Sequence, residues 1–223
     1  MKLTQAAQLA FVLVAAVTVY SFVSTARDGE RRRICTPLCA LSPTYAGVNR
    51  TAPDFELTST DGVKVALSSY RGKVVLLNFW TKTCGPCLKE LPSLAELGQI
   101  LRKRDDIALL TVSTDESAED VRATLASVLG SERPAFVTLV DPDAAVVRER
   151  FGTRLYPETW FIDGEGVIRA RIDGARDWTS AAAVEFAKSL RDPQACSIEY
   201  SRGSPVGAFA SLCQDYGGQR GAP

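Results

Sequence analysis

The sequence predicts an α/β fold: a central mixed β-sheet flanked by helices, with an N-terminal hairpin extension and an apolar segment ahead of it. Three observations predict this. An apolar run from Val74 to Trp80 has the length of a buried strand. Two cysteines separated by two residues, Cys84 and Cys87, follow it directly and open a helical pattern. Strand-like and helix-like stretches then alternate and close with a hairpin and a helix, the order of a sheet covered by helices.

Taken in order, the 223-residue chain divides at 1–26, 27–50, 51–191 and 192–223. Ala6 to Val23 is mostly apolar, long for a signal-peptide core and just long enough to span a bilayer. Lys2 precedes it, while Arg27, Arg31, Arg32 and Arg33 follow, which by the positive-inside rule would leave the C-terminal part in the cytoplasm. The cysteines outweigh that rule. Six in one chain, four of them outside the Cys84–Cys87 pair, suit an oxidising compartment. The segment therefore reads as a signal anchor that places the remainder outside the cytoplasmic membrane, in the periplasm. Ser24-Thr25-Ala26 also offers a cleavage site, so a cleaved, secreted form is the alternative. With 26 basic and 26 acidic residues, no charge excess points to nucleic acid.

Residues 27–50 read as a linker carrying Cys35 and Cys39. With Cys196 and Cys213 these are expected to form structural disulfides, and three pairings remain open. From Thr51 the folded domain begins. Ala52 to Leu57 and Val63 to Leu67 alternate like strands around a turn at Asp61-Gly62. Ser68 to Lys73 is a turn into the central strand. The helix that the Cys84–Cys87 motif opens runs to about Leu101 and contains Pro92, where a kink is expected. Ile107 to Ser113 is a second buried strand. Ser117 to Leu129 has helical spacing, Phe136 to Val140 is a short strand, and Asp143 to Phe151 a short helix. Glu158 to Asp163 and Val167 to Ile172 form a hairpin around Gly164-Glu165-Gly166. Thr179 to Leu190 is a last helix with Thr179 as its N-cap. The tail from Asp192 is Gly-, Ser- and Pro-bearing, with an apolar patch from Val206 to Leu212.

The chemistry of the cysteine pair follows from its place at a helix start. Unpaired backbone N–H groups and the positive end of the helix dipole favour the thiolate of Cys84, the attacking form. Lys82 and Lys89 bring further positive charge nearby, of little weight if solvated. Cys87 lies one turn on, so the two sulfurs can close a disulfide. Pro86 fits the first turn, where its missing N–H costs nothing, and Gly85 leaves room for a partner backbone. Cys84 is the expected nucleophile and Cys87 resolves the mixed disulfide. A zinc site would need more ligands, and the chain has no histidine. No metal and no cofactor are expected.

Residues 51–191 resemble the thioredoxin superfamily, specifically its membrane-linked TlpA/ResA/CcmG branch. The motifs are Ala52-Pro53-Asp54-Phe55, Leu67-Ser68-Ser69-Tyr70-Arg71-Gly72-Lys73, Asn78-Phe79-Trp80 ahead of Cys84-Gly85-Pro86-Cys87, Glu90-Leu91-Pro92, and Tyr156-Pro157-Glu158-Thr159 leading to Phe161-Ile162-Asp163-Gly164. The resemblance implies a thioredoxin-like fold in which Pro157 is a cis-proline facing the disulfide. It implies that the backbone of Tyr156 pairs with an extended substrate strand and that its ring packs on the partner. It implies that Glu90 manages protons at the dithiol, with Glu158 a second acidic candidate. Two departures stand out. Asn78 replaces thioredoxin's buried aspartate, removing that residue's proton handling. Thr83 replaces the tryptophan usual before the first cysteine.

The function so implied is an extracytoplasmic thiol–disulfide oxidoreductase that reduces protein disulfides, of the cytochrome c maturation type or a general reductase of exported proteins. Its electrons would come from a membrane dithiol carrier of the CcdA/DsbD type. One rival is a peroxiredoxin-like peroxidase, since the Ala52-to-Trp80 stretch is shared with that group, although Thr81-Lys82-Thr83 lacks the proline of the peroxidase pocket. A rival of another class is a copper carrier through Cys35 and Cys39, a CxxxC spacing shared with Sco-type chaperones. There a proline follows the second cysteine and a histidine completes the site; here Ala40 follows and there is no histidine.

Overall fold

The computed structural model describes residues 8, 11–23, 51–191, 199–201, 204–207 and 209–213. Two units are distinguished, residues 1–34 and 35–223. In the first, residues 11–23 form a helix, α1, with exposed side chains. Residues 6, 7, 9 and 10 of the expected membrane segment lie outside the described residues, and among the described residues no helix is long and apolar enough to cross a membrane. Cys35, Cys39 and Cys196, and the side chain of Cys213, also lie outside the described residues, and with them the expected structural disulfides.

The second unit is built on a seven-stranded mixed sheet. Its strands are β1 (Glu56–Ser59), β2 (Lys64–Ala66), β3 (Val74–Trp80), β4 (Ile107–Ser113), β5 (Val137–Val140), β6 (Glu158–Ile162) and β7 (Ile168–Asp173), in the order β2-β1-β5-β4-β3-β6-β7. β4 runs parallel to β3 and β5, while β6 pairs antiparallel with β3 and β7. The β1–β2 hairpin extends the sheet beyond β5. A small separate hairpin, β8 (Glu199–Ser201) with β9 (Ser204–Val206), lies in the tail.

β3 is buried along its whole length because both faces of the sheet are covered. Its side chains alternate: Val74, Leu76 and Trp80 enter one core cluster, Val75, Leu77 and Phe79 the other. The first cluster packs under α2 (Gly85–Leu101), α3 (Ala118–Leu129) and α4 (Ala181–Ser189). The second packs under a π-helical turn, Ala145–Arg150, with Phe151 set edge-on to Phe79 and Trp160. α2 runs unbroken through Pro92, which is exposed. Gly98 lets this helix approach the chain closely, since a Cβ there would sit 2.4 Å from the Ala135 carbonyl oxygen.

Three local expectations are corrected. Ala52 to Phe55 is not strand: Pro53 has no amide to pair, and the Asp54 carboxylate accepts from the amides of Phe55 and Ser68 at 3.0 and 2.9 Å. Leu67, expected to end the second strand, instead opens the 3-10 turn Leu67–Tyr70, so the expected turn begins one residue early. The N-cap of α4 is Ser180, whose side chain accepts from the Ala183 amide, because the Thr179 hydroxyl is engaged by Asp177 at 2.6 Å.

Candidate active site

The site sits where β3 ends and α2 begins. Cys84 is the N-cap of α2, in extended backbone, and Cys87 lies in its first turn. The sulfurs are joined in a disulfide with the Cα atoms 5.3 Å apart. The Cys87 amide donates to Cys84 Sγ at 3.2 Å, so the backbone donor needed to hold a thiolate is in place. Gly85 and Pro86 are exposed and Cys84 is half-buried, whereas Cys87 is 0% exposed. A partner can reach only the first sulfur directly. This asymmetry is what attack by Cys84 and resolution by Cys87 would require.

The loop ahead of Cys84 is clamped by Asp115, just beyond β4 and buried. Its carboxylate accepts from the Thr81 hydroxyl at 2.7 Å, from the Lys82 amide at 2.9 and 3.0 Å, and from the Ser113 hydroxyl at 2.7 Å. Lys82 does not face the sulfurs as a free cation. Its ammonium pairs with Glu116 at 2.7 Å and Asp120 at 3.2 Å, which offsets its charge. Lys89 is exposed.

Behind Cys87, one turn along the same helix, Glu90 is 1% exposed. Burial pushes its carboxyl up to about 7, against the lowering effect of hydrogen bonds from Trp178, Asn78 and Arg176. Asn78 Nδ2 donates to Oε1 at 2.8 Å and to the Thr159 hydroxyl at 2.8 Å. Trp178 Nε1 and the Arg176 amide donate to Oε2 at 3.0 and 3.1 Å. A carboxyl poised near neutrality one turn from a buried sulfur can hold or release a proton at working pH.

Glu158 is also buried and also pushed up to about 7, chiefly by burial. It accepts from the Thr153 hydroxyl and from Trp160 Nε1 at 2.7 Å, with Arg171 Nε 3.5 Å away. Trp160 and Ile162 of β6 belong to the second core cluster and Phe161 to the first, so Glu158, in step with Trp160, lies on the opposite face of the sheet from Glu90. The structure does not bring these two acids together.

The Tyr156–Pro157 bond is cis. Phe79 pairs with Glu158 across β3 and β6, so this peptide falls at the sheet end where β3 runs into the cysteine loop. The Tyr156 ring is half-buried and packs against both core clusters, and its hydroxyl is enclosed without a hydrogen-bond partner among the described residues. The expected partner-facing ring therefore turns inward. Leu155, 82% exposed, is the apolar side chain presented outward at this loop, and sequence reasoning passed over it. It also passed over Asp115, Thr159, Arg176 and Trp178. Asn78 was noted only as a missing acid, yet as the one polar residue in an apolar strand it carried the signal that something buried must pair with it.

A family model described as the AhpC/TSA family matches residues 48–171. The thiol-disulfide oxidoreductase ResA of Geobacillus thermodenitrificans is 34% identical over 131 residues, 59% of this chain and 72% of that protein. The thioredoxin-like protein YneN of Bacillus subtilis is 33% identical over 121 residues, 53% of this chain and 66% of that protein. A solved structure from Chlorobium tepidum, assigned as a thiol:disulfide interchange protein DsbE, aligns with a TM-score of 0.56 at 27% identity, covering 64% of this chain and 96% of the other. The half-exposed and buried sulfurs at a helix start, the cis-proline at the same sheet end and these matches converge: the chain belongs to the AhpC/TSA family and is a thioredoxin-like thiol–disulfide oxidoreductase of the ResA type.

Proposed function

We propose that this oxidoreductase works outside the cytoplasmic membrane, tethered through residues 6–23, and that it reduces disulfides in exported proteins. The observation that supports dithiol exchange at this site is Glu90, a buried carboxyl raised to about 7 one turn behind the shielded Cys87, where it can take up and return the Cys87 proton. The Cys84 thiolate attacks a substrate disulfide, and the displaced substrate sulfur leaves as a thiolate. Cys87 gives its proton to Glu90 and attacks the Cys84 sulfur, which frees the second substrate sulfur. Two electrons pass to the substrate and the enzyme is left as the Cys84–Cys87 disulfide. A membrane dithiol carrier of the CcdA/DsbD type restores the dithiol by the reverse exchange. The backbone of Tyr156, at the cis bond, pairs with the extended substrate chain. Haem-attachment cysteines of c-type cytochromes are one client class, and other exported proteins are the alternative.

Trapping tests this. A Cys87→Ser variant holds clients as mixed disulfides on Cys84, and wild type reduces insulin with a dithiol supply. Absence of both results removes the reading. Hydrogen peroxide turnover by wild type would instead favour a peroxidase. Copper binding by a Cys84→Ser, Cys87→Ser variant would favour a carrier role for Cys35 and Cys39.

A further inference from the structure

The tail contributes to the surroundings of Glu90. Arg176 joins them, in the segment between β7 and α4. Its backbone amide donates to Glu90 Oε2 at 3.1 Å. Nη1 of its guanidinium donates to the Ala175 carbonyl at 2.9 Å, and Nε donates to the Leu212 carbonyl at 2.8 Å. Leu212 lies in the 3-10 turn Ala210–Cys213, 36 residues further along the chain. This turn is seated, since Leu212 is 2% exposed within the first core cluster and the Phe209 ring packs at a tilt against Phe186 of α4, centroids 5.7 Å apart. Ser93 of α2 adds a second fastening, donating to the Arg176 carbonyl at 3.3 Å and accepting from the Trp178 amide at 3.3 Å. The match to the family model ends at residue 171, ahead of Arg176, Trp178 and Leu212.

We propose that the tail turn Ala210–Cys213 is a working part of the active site: it anchors Arg176 as a positioning residue, whose backbone holds Glu90, and through Leu212, packed in the same core cluster as Cys87, it helps to keep Glu90 buried. The proposal deepens the role given to Glu90 above and rests on that reading for its catalytic consequence. The groups around Glu90 can be named among the described residues. From β3 and β6 come neutral Asn78 and Thr159, from the β7–α4 segment Trp178 and the cation Arg176, and from α2 itself the titratable Cys87 once reduced. Burial is the largest influence on this carboxyl, so the tail acts chiefly by keeping water out. Opening the turn lets water in, and hydration outweighs the loss of one backbone donor.

The test follows Glu90 directly. Its carboxyl carbon-13 signal, assigned by its loss in Glu90→Gln, is titrated in the full-length protein and in a Phe209→Ala, Leu212→Asn variant that unseats the turn without adding charge. The wild-type midpoint is expected near 7 and the variant's lower by about one pH unit or more. Hydrogen exchange at the Leu212 amide reports whether the turn has been released. A chain ending at Gly207 removes the Leu212 carbonyl altogether and serves as the second variant. A midpoint unmoved in that chain overturns the proposal. The pH dependence of the midpoint potential separates the two claims. If Glu90→Gln leaves that curve unchanged, the proton role of Glu90 fails even where the tail still governs its titration, and the tail is then a cover without catalytic effect.

Discussion

Asn78 and Glu90 are joined by a hydrogen bond from Nδ2 to Oε1 at 2.8 Å, and neither side chain is more than 1% exposed. The position that in thioredoxin carries a buried acid thus serves here to orient one, contributed by the helix that bears the cysteines. Asn78→Asp would place a second carboxyl against the first. Two such groups cannot both ionise cheaply, so they share a proton and Glu90 becomes harder to deprotonate. The variant is expected to lose several-fold in insulin reduction near pH 7 and to regain part of it at higher pH. A pH–rate profile beside wild type checks this.

Thermal stability should carry the mark of Glu90. Its folded value, about 7, lies above the ordinary carboxylate value of 4.5, so the folded state keeps its proton while the unfolded state releases it. Between about 4.5 and 7 the unfolded chain binds fewer protons, and stability falls as pH rises, levelling above 7. At about 1.4 kcal/mol per pKa unit, the decline is on the order of 3 kcal/mol. Glu158 has the same sign and the same window. Unfolding midpoints measured from pH 4 to 8 should show this slope, and Glu90→Gln should flatten part of it.

Asp115→Ala removes the acceptor shared by the Thr81 hydroxyl, the Lys82 amide and the Ser113 hydroxyl. Leaving buried donors unpaired costs about 1–3 kcal/mol. Urea denaturation should show a loss of that size. Because the clamped loop leads straight into Cys84, exchange should slow by more than the fraction unfolded accounts for.

In the reduced protein, iodoacetamide should modify Cys84 well before Cys87. The first sulfur is half-buried at an open helix start and the second is 0% exposed. Peptide mapping after brief alkylation reads the order directly. Equal labelling would remove the division of roles.

Short-range patterns made much of the fold legible. β3 is seven consecutive buried residues, and a short apolar run bounded by turn residues is the pattern of a strand covered on both faces. Ser117 caps α3 through the Asp120 amide as its residue type foretells. Failures came where side chains competed for the backbone, as when Asp177 took the Thr179 hydroxyl and left Ser180 to cap α4. What offsets the charge of Lys82 was out of reach for a related reason: Glu116 and Asp120, the latter in α3, meet it from 34 and 38 residues away.

By itself the sequence determined the dithiol, its place at a helix start and the order of the strands' patterns, because each is written in neighbours a few residues apart; the cis-proline came from the family resemblance of the motif around Pro157. The tertiary structure alone decided what surrounds Glu90. Trp178 and Arg176 reach it from 88 and 86 residues away, and Leu212 reaches Arg176 from 36 further on. Burial and hydrogen bonding act through space, so the acidity of that carboxyl was fixed only when the sheet, α2 and the tail closed around it.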